Sequence, residues 1–204
     1  MKYLLSAVAI ILILFSLNSK EMPMQTLDQN DSILAFGDSL TYGYNAKANE
    51  SYPAVLSRLL GYTVINEGVL GDTSHEGLRR IAPLLEERNI KLMILLLGGN
   101  DIMQGLSMED LKSNLKTMIQ MAKKKQINVL LISMPKLSIF GLSPLELYEE
   151  VAEEEDVPLL SGMMSNILEQ PLLKSDQIHP NAKGYTMMAK MIYEKLKEEG
   201  WLKN

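Results

Sequence analysis

Residues 92–97 read Leu-Met-Ile-Leu-Leu-Leu, an apolar run with no break that halts at Gly98-Gly99-Asn100-Asp101. A strand with one wet face alternates apolar and polar residues. A run without alternation is buried on both faces, as a central strand of a parallel sheet is. This one segment therefore asks for helices above and below a sheet, and its neighbours supply them. Short apolar runs at 33–36, 62–66, 128–133 and 157–160 read as further strands. Between them lie amphipathic segments. Tyr52, Val55, Leu56, Leu59 and Leu60 recur at helical spacing before a stop at Gly61. Ser74 to Asn89 carries Leu78, Ile81, Leu84 and Leu85 on one face, with Pro83 expected to kink or break the helix. Ser107 and Asp110 read as a capping pair for a helix to about Gln126. Ser143 as N-cap and Pro144 as first residue open another, and Ala182 to Glu199 forms the last, ending at Gly200. Strands alternating with helices through right-handed crossovers give a three-layer α/β/α sandwich, flavodoxin-like, around a central, mostly parallel five-stranded sheet.

The N-terminus stands apart. Lys2 precedes an uncharged apolar run from Leu4 to Leu17, too short and too one-sidedly flanked for an ordinary membrane span. It reads either as a cleaved secretory signal or as an uncleaved anchor at the membrane surface, and both export the rest of the chain. A polar linker leads on, so residues 1–27 are set aside and 28–204 are taken as the domain. The chain has no cysteine. That excludes disulfides, a thiol nucleophile, thiolate metal sites and a lipid-modified N-terminal Cys. A net charge of −5 argues against nucleic acid as a partner. The basic run Lys123-Lys124-Lys125 reads as a solvated helix end facing the negative pole of the helix dipole.

In sheets of this kind, ligands bind beyond the carboxyl ends of the strands. Those positions hold Gly37-Asp38-Ser39-Leu40, then Gly68-Val69-Leu70-Gly71-Asp72-Thr73, then Gly98-Gly99-Asn100-Asp101, and late in the chain Asp176-Gln177-Ile178-His179-Pro180. Serine hydrolysis needs a hydroxyl, a base, a group to orient the base and donors for the oxyanion. There are only two histidines, His75 and His179. His75 opens a helix with no carboxylate at a telling distance, and reads as a surface or structural residue. His179 follows Asp176 by three residues, a spacing that lets the carboxylate fold back on Nδ1 and leave Nε2 for Ser39. Each block alone has a plainer reading: a capped turn, a glycine loop, a surface hydrogen bond, or two ligands of a metal site lacking a third. Their order, all at strand ends, points to a Ser-Asp-His hydrolase with Ser39 as nucleophile. There is no Gly-x-Ser-x-Gly elbow and no Gly-x-x-x-x-Gly-Lys phosphate loop, which argues against an α/β-hydrolase and a nucleotide hydrolase.

With these four blocks the sequence resembles the GDSL, or SGNH, hydrolases, and within them the small bacterial thioesterase I, lysophospholipase L1 and arylesterase branch. The resemblance runs from Ser32 to the last helix. It implies Ser39 as nucleophile, His179 as general base and then acid, and Asp176 as its partner. It implies an oxyanion hole from the N–H groups of Ser39 and Gly71 and the side-chain amide of Asn100. Gly68 is the other candidate in the second block, but the Gly-Asp-Thr context favours Gly71. Glu67-Gly68 departs from the small pair the family has there. The activity implied is hydrolysis of carboxylic esters, with no cofactor and no metal, on a small-molecule or lipid acyl ester. Removal of acetyl groups from polysaccharides, or a non-catalytic ligand-binding module, are the alternatives. Leu137, Ile139, Phe140 and Leu142 follow one strand, and Ile102, Met103 and Leu106 follow Asn100; these side chains read either as an acyl pocket or as ordinary packing. Asp38, Leu137, Ile139 and Phe140 are the candidate substrate contacts.

Overall fold

A computed structural model describes residues 26–202 apart from Arg88, Ile139 and Phe140. Its strands are β1 (Ser32–Gly37), β2 (Thr63–Gly68), β3 (Ile90–Leu96), β4 (Asn128–Ile132), β5 (Pro135–Ser138), β6 (Gly141–Pro144) and β7 (Leu159–Leu160). Its helices are α1 (Ser39–Tyr42), α2 (Tyr52–Leu60), α3 (Ser74–Leu84), α4 (Gly99–Gln104), α5 (Met108–Lys124), α6 (Leu147–Glu154), α7 (Met163–Leu168) and α8 (Ala182–Glu198). The main sheet has five strands in the order β2-β1-β3-β4-β7, every pair parallel. β1 lies between β2 and β3, with Ala35 opposite both Asn66 and Ile94. The chain leaves β1 toward one edge, while the connections from β2, β3 and β4 all run the other way. Right-handed crossovers then put α2 on one face and α3, α5 and α6 on the other. α8 packs against α2, and α3 against α5.

The apolar run behaves as its lack of alternation demands: every side chain from Leu92 to Leu97 is fully buried, as are Ile33 to Phe36. β2, at the edge, exposes Thr63 and Asn66. Leu27 is also fully buried, its N–H on the carbonyl of Trp201 at 2.9 Å, so the folded unit takes in the residue before the expected boundary at 28. Among the described residues no helix is long and apolar enough to cross a membrane; the apolar N-terminal run lies outside them.

Two expectations need correction. Ser143 and Pro144 do not open a helix. They end β6, which pairs antiparallel with β5, Ser143 opposite Lys136 and Pro144 opposite Pro135. The residue before a proline is biased toward extended backbone, and a two-stranded ribbon has free edges where a missing N–H costs nothing. The helix begins at Leu147. The helix expected to run on to Asn89 does not continue past Pro83 in either one piece or two: α3 ends one residue after it, at Leu84.

Glycine at 68 is dictated by packing. A Cβ there would lie 2.0 Å from the Tyr42 nitrogen and 2.6 Å from the Thr41 carbonyl carbon, because α1 crosses directly over the end of β2. Both obstacles are backbone, so neither can swing aside. Gly68→Ala should cost about 1–3 kcal/mol, the usual penalty of overpacking, read as a lower urea midpoint. An unchanged midpoint would mean that α1 is not seated where it is described.

Candidate active site

The nucleophile candidate sits in the first turn after β1. Asp38 caps α1, its Oδ1 accepting the N–H of Leu40 at 2.9 Å, and Gly43 ends the helix in the left-handed conformation. Ser39 is thereby held at the carboxyl edge of the sheet, where β1 and β3 send their connections in opposite directions. Asn100 enters the same place from α4, which begins directly after β3. Its Nδ2 donates to the Asp72 carbonyl at 2.8 Å, tying the end of β3 to the loop after β2, and lies 3.5 Å from Asp38 Oδ2. Gly71, in that loop, has φ +82°, a conformation that glycine adopts freely, and its missing side chain leaves open space.

The candidate base arrives from late in the chain. The loop before α8 is held by a bridge between Lys174 and Pro180, by the Ser175 N–H on the His179 carbonyl at 2.9 Å, and by Asn181, which caps α8. Within it the Asp176 carboxylate accepts the backbone N–H groups of Ile178 at 2.9 Å and His179 at 2.8 Å through Oδ1. Its Oδ2 stands 2.9 Å from His179 Nδ1. On the other side of the ring, His179 Nε2 is 3.1 Å from Ser39 Oγ. Partial burial pushes the Asp176 carboxyl up, but the N–H groups of Ile178 and His179 and the imidazole outweigh it and hold the carboxyl below its ordinary value. An ionised Asp176 fixes the ring's Nδ1–H tautomer and leaves Nε2 free to accept the serine proton.

Ser39, Gly71, Asn100, Asp176 and His179 all line one open cavity of roughly 660 Å³. A narrower apolar recess of about 130 Å³ opens beside it, bounded by Leu40, Ile102, Met134, Leu142 and Leu168 together with Ser39 and His179. Of the apolar residues read as pocket candidates, Ile102, Met103 and Leu142 are there. Leu106 lines neither space and is exposed. Leu137 lies in β5, opposite Leu142; Ile139 and Phe140 lie outside the described residues. Asp38 borders the recess but is almost wholly buried, its carboxyl turned to Leu40 and Asn100. His75 is exposed in the first turn of α3.

Sequence reasoning did not single out Tyr44 or Asn45. Tyr44 sets its ring against the imidazole, centroids 4.7 Å apart. Asn45 Nδ2 donates to Asp176 Oδ2 at 2.9 Å. Neither belongs to a spaced motif; the one available signal was their position, five and six residues after the serine.

Comparisons with known proteins identify the family. The model of the GDSL-like lipase/acylhydrolase family matches residues 35–187. The chain belongs to that family. It is 31% identical over 173 residues to the thioesterase 1/protease 1/lysophospholipase L1 of Escherichia coli, covering 81% of this chain and 83% of that one. It is 28% identical over 177 residues to an arylesterase of Vibrio mimicus, covering 82% and 88%. The crystal structure of TesA superposes with a TM-score of 0.74 at 27% identity, covering 83% of this chain and 99% of that one. This GDSL-family chain is thus an ester hydrolase, and its five-stranded parallel sheet is the fold of its relatives.

Asp38 gives the site a measurable signature. Burial, with Asp72 and Asp101 nearby, outweighs the Leu40 N–H and pushes its carboxyl up to about 7. The unfolded chain releases that proton near the ordinary carboxylate value, whereas the folded protein keeps it to about 7. Between those limits the folded state binds more protons, so this group's contribution falls as pH rises and levels off above them. Asp38→Asn keeps an oxygen for the Leu40 N–H. It should flatten the loss of stability between mildly acidic and neutral pH relative to wild type, read by urea unfolding at several pH values. Parallel curves for the two proteins would refute a protonated, buried Asp38.

Proposed function

We propose that this hydrolase is exported and cleaves carboxylic esters of apolar acyl groups through a covalent acyl-Ser39 intermediate. The observation that carries the reading is the continuous hydrogen-bonded line from Ser39 Oγ through His179 to Asp176, at 3.1 and 2.9 Å, opening onto the cavity that Asn100 and Gly71 share. Ser39 Oγ attacks the acyl carbon while His179 Nε2 takes its proton. The carbonyl oxygen becomes an oxyanion that the Ser39 and Gly71 N–H groups and the Asn100 amide stabilise. Collapse breaks the ester bond, and His179 returns the proton to the leaving alcohol. Water then attacks the acyl-enzyme, His179 again serving as base and then acid, and the carboxylic acid leaves with Ser39 restored.

Donors fixed by the fold suit this task because they need no reorganisation when the charge forms. Asn100 is fixed in this way: one N–H is anchored on the Asp72 carbonyl, and its amide is neutral, so it carries no permanent charge into the ground state. The apolar recess next to Ser39, bounded by Leu40, Ile102, Met134, Leu142 and Leu168, suits a hydrocarbon acyl chain better than a hydrated sugar. The relatives' names, thioesterase 1/protease 1/lysophospholipase L1 and arylesterase, imply different leaving groups, which fits an enzyme permissive on that side. Lys2 and the apolar run after it support export.

Ser39→Ala should abolish turnover of p-nitrophenyl butyrate in a protein that still unfolds cooperatively, and Ser39 should take the label of a fluorophosphonate. Asn100→Ala should lower kcat by roughly 10²–10³, as loss of an oxyanion donor does elsewhere. Full activity in Ser39→Ala would overturn the mechanism. On a series of p-nitrophenyl esters, wild type should prefer butyryl or longer chains to acetyl, and Leu142→Trp, which narrows the recess, should move the optimum to shorter chains. A preference for acetyl esters of polysaccharides would overturn the substrate class and leave the mechanism standing.

A further inference from the structure

Three of the four groups that hold Asp176 come from its own loop: the N–H groups of Ile178 and His179 and the His179 ring. The fourth is Asn45, which reaches across from the loop that carries the nucleophile. Its Nδ2 donates to Asp176 Oδ2 at 2.9 Å and lies 3.2 Å from Ser175 Oγ, so one amide grips two consecutive residues of the base's loop. Asp176 is exposed, with 39% of its side chain open to solvent, and its hold on the imidazole is not enforced by burial. Asn45 itself has φ +63°, a left-handed conformation costly for most side chains but tolerated by Asn, Asp and Gly. That turn aims the amide back at Asp176. Beside it, Tyr44 lays its ring against His179, and the Tyr185 hydroxyl of α8 donates to the Tyr44 carbonyl at 2.9 Å, fastening the same turn to the helix behind the base.

We propose that Asn45 is a positioning residue for the general base: its amide locks the Asp176 carboxylate across the two loops and keeps the His179 imidazole aimed at Ser39. The inference rests on the assignment of Ser39, His179 and Asp176 as the catalytic groups.

The left-handed backbone makes a clean experiment possible, because Asn45→Gly and Asn45→Asp both accept that φ while neither supplies the N–H. kcat and KM for p-nitrophenyl butyrate are compared between wild type and both variants. Asn45→Gly should lower kcat by roughly tenfold to a hundredfold, the scale of a small misalignment, with KM little changed. Asn45→Asp should lower kcat further, since it offers no N–H and sets a second negative charge beside Asp176. Thermal unfolding of each variant separates this from packing. Wild-type kcat in Asn45→Gly would overturn the proposal. A lower kcat accompanied by a raised KM and a lower melting point would overturn it equally, because the residue would then only support the loop. Ser39→Ala, assayed in parallel, tells the two readings apart: if it is inactive while Asn45→Gly matches wild type, only the role of Asn45 fails.

Discussion

The parallel pairing of β1 with two neighbours whose connections diverge is the constraint on which the rest of the molecule depends. Because β1 is flanked by β2 and β3, and the chain leaves β1 one way and the later strands the other, no crossover helix covers the carboxyl end of β1. The opening is a consequence of topology. What fills it is whatever the strands release there: Ser39 after β1, the Gly71 loop after β2 and Asn100 after β3. The Asn100 amide on the Asp72 carbonyl then stitches the releases of β2 and β3 together at 2.8 Å. Three oxyanion candidates from three separate strand ends are made into one surface by a single sheet register.

That surface stands on three buried carboxylates, and each is handled differently. Asp101 accepts the Ser74 N–H at 2.8 Å and the Ser74 hydroxyl at 2.6 Å, which locks the start of α3 to α4. Asp72 receives Arg80 Nε at 2.6 Å. The same guanidinium donates to the carbonyls of Gly37 and Glu67 at 2.9 and 3.0 Å and lies over the Phe36 ring at 4.1 Å, so one cation clamps the ends of β1 and β2 together. Asp38 accepts the Leu40 N–H and makes a long contact with Asn100. Asp72 and Asp101 are held by these partners, whereas Asp38 has its carboxyl pushed up chiefly by burial, with two like charges nearby adding to it.

What was legible in the sequence was what burial and strand ends dictate. The run 92–97 announced a central strand because a strand without alternation must bury both faces, and the blocks at Ser39 and Asn100 stood out because they came directly after such runs. The hairpin of β5 and β6 was not legible: Ser143-Pro144 carries a helix-start signal and an extended-backbone signal at once, and only its pairing with Pro135 and Lys136 decides between them. The short helices α1 and α4 were hidden for another reason. At four and six residues they are too brief to show a period, and they exist because Asp38 and Gly98 begin them at strand ends. Asn45 was invisible for a third reason: its importance lies in a contact with Asp176 across 131 residues, and local sequence holds no record of that distance.

The two halves of the site thus have unlike foundations. Ser39 and Asn100 are anchored to the buried sheet, where a shift would disturb strands with no exposed side chain. His179 and Asp176 hang in a loop whose ties are mostly internal, the Lys174–Pro180 bridge and the N–H groups of residues 178 and 179. The hydroxyl–imidazole contact at 3.1 Å joins a partner fixed to the sheet to one held by its own loop. Such a contact keeps its geometry only if something besides the reacting groups spans the gap. Tyr44 and Asn45 do so from the sheet side, being five and six residues from Ser39 and attached to α8 through Tyr185. The short loop after α1 is therefore the piece that ties the sheet-borne half of the candidate site to the half carried by the late loop.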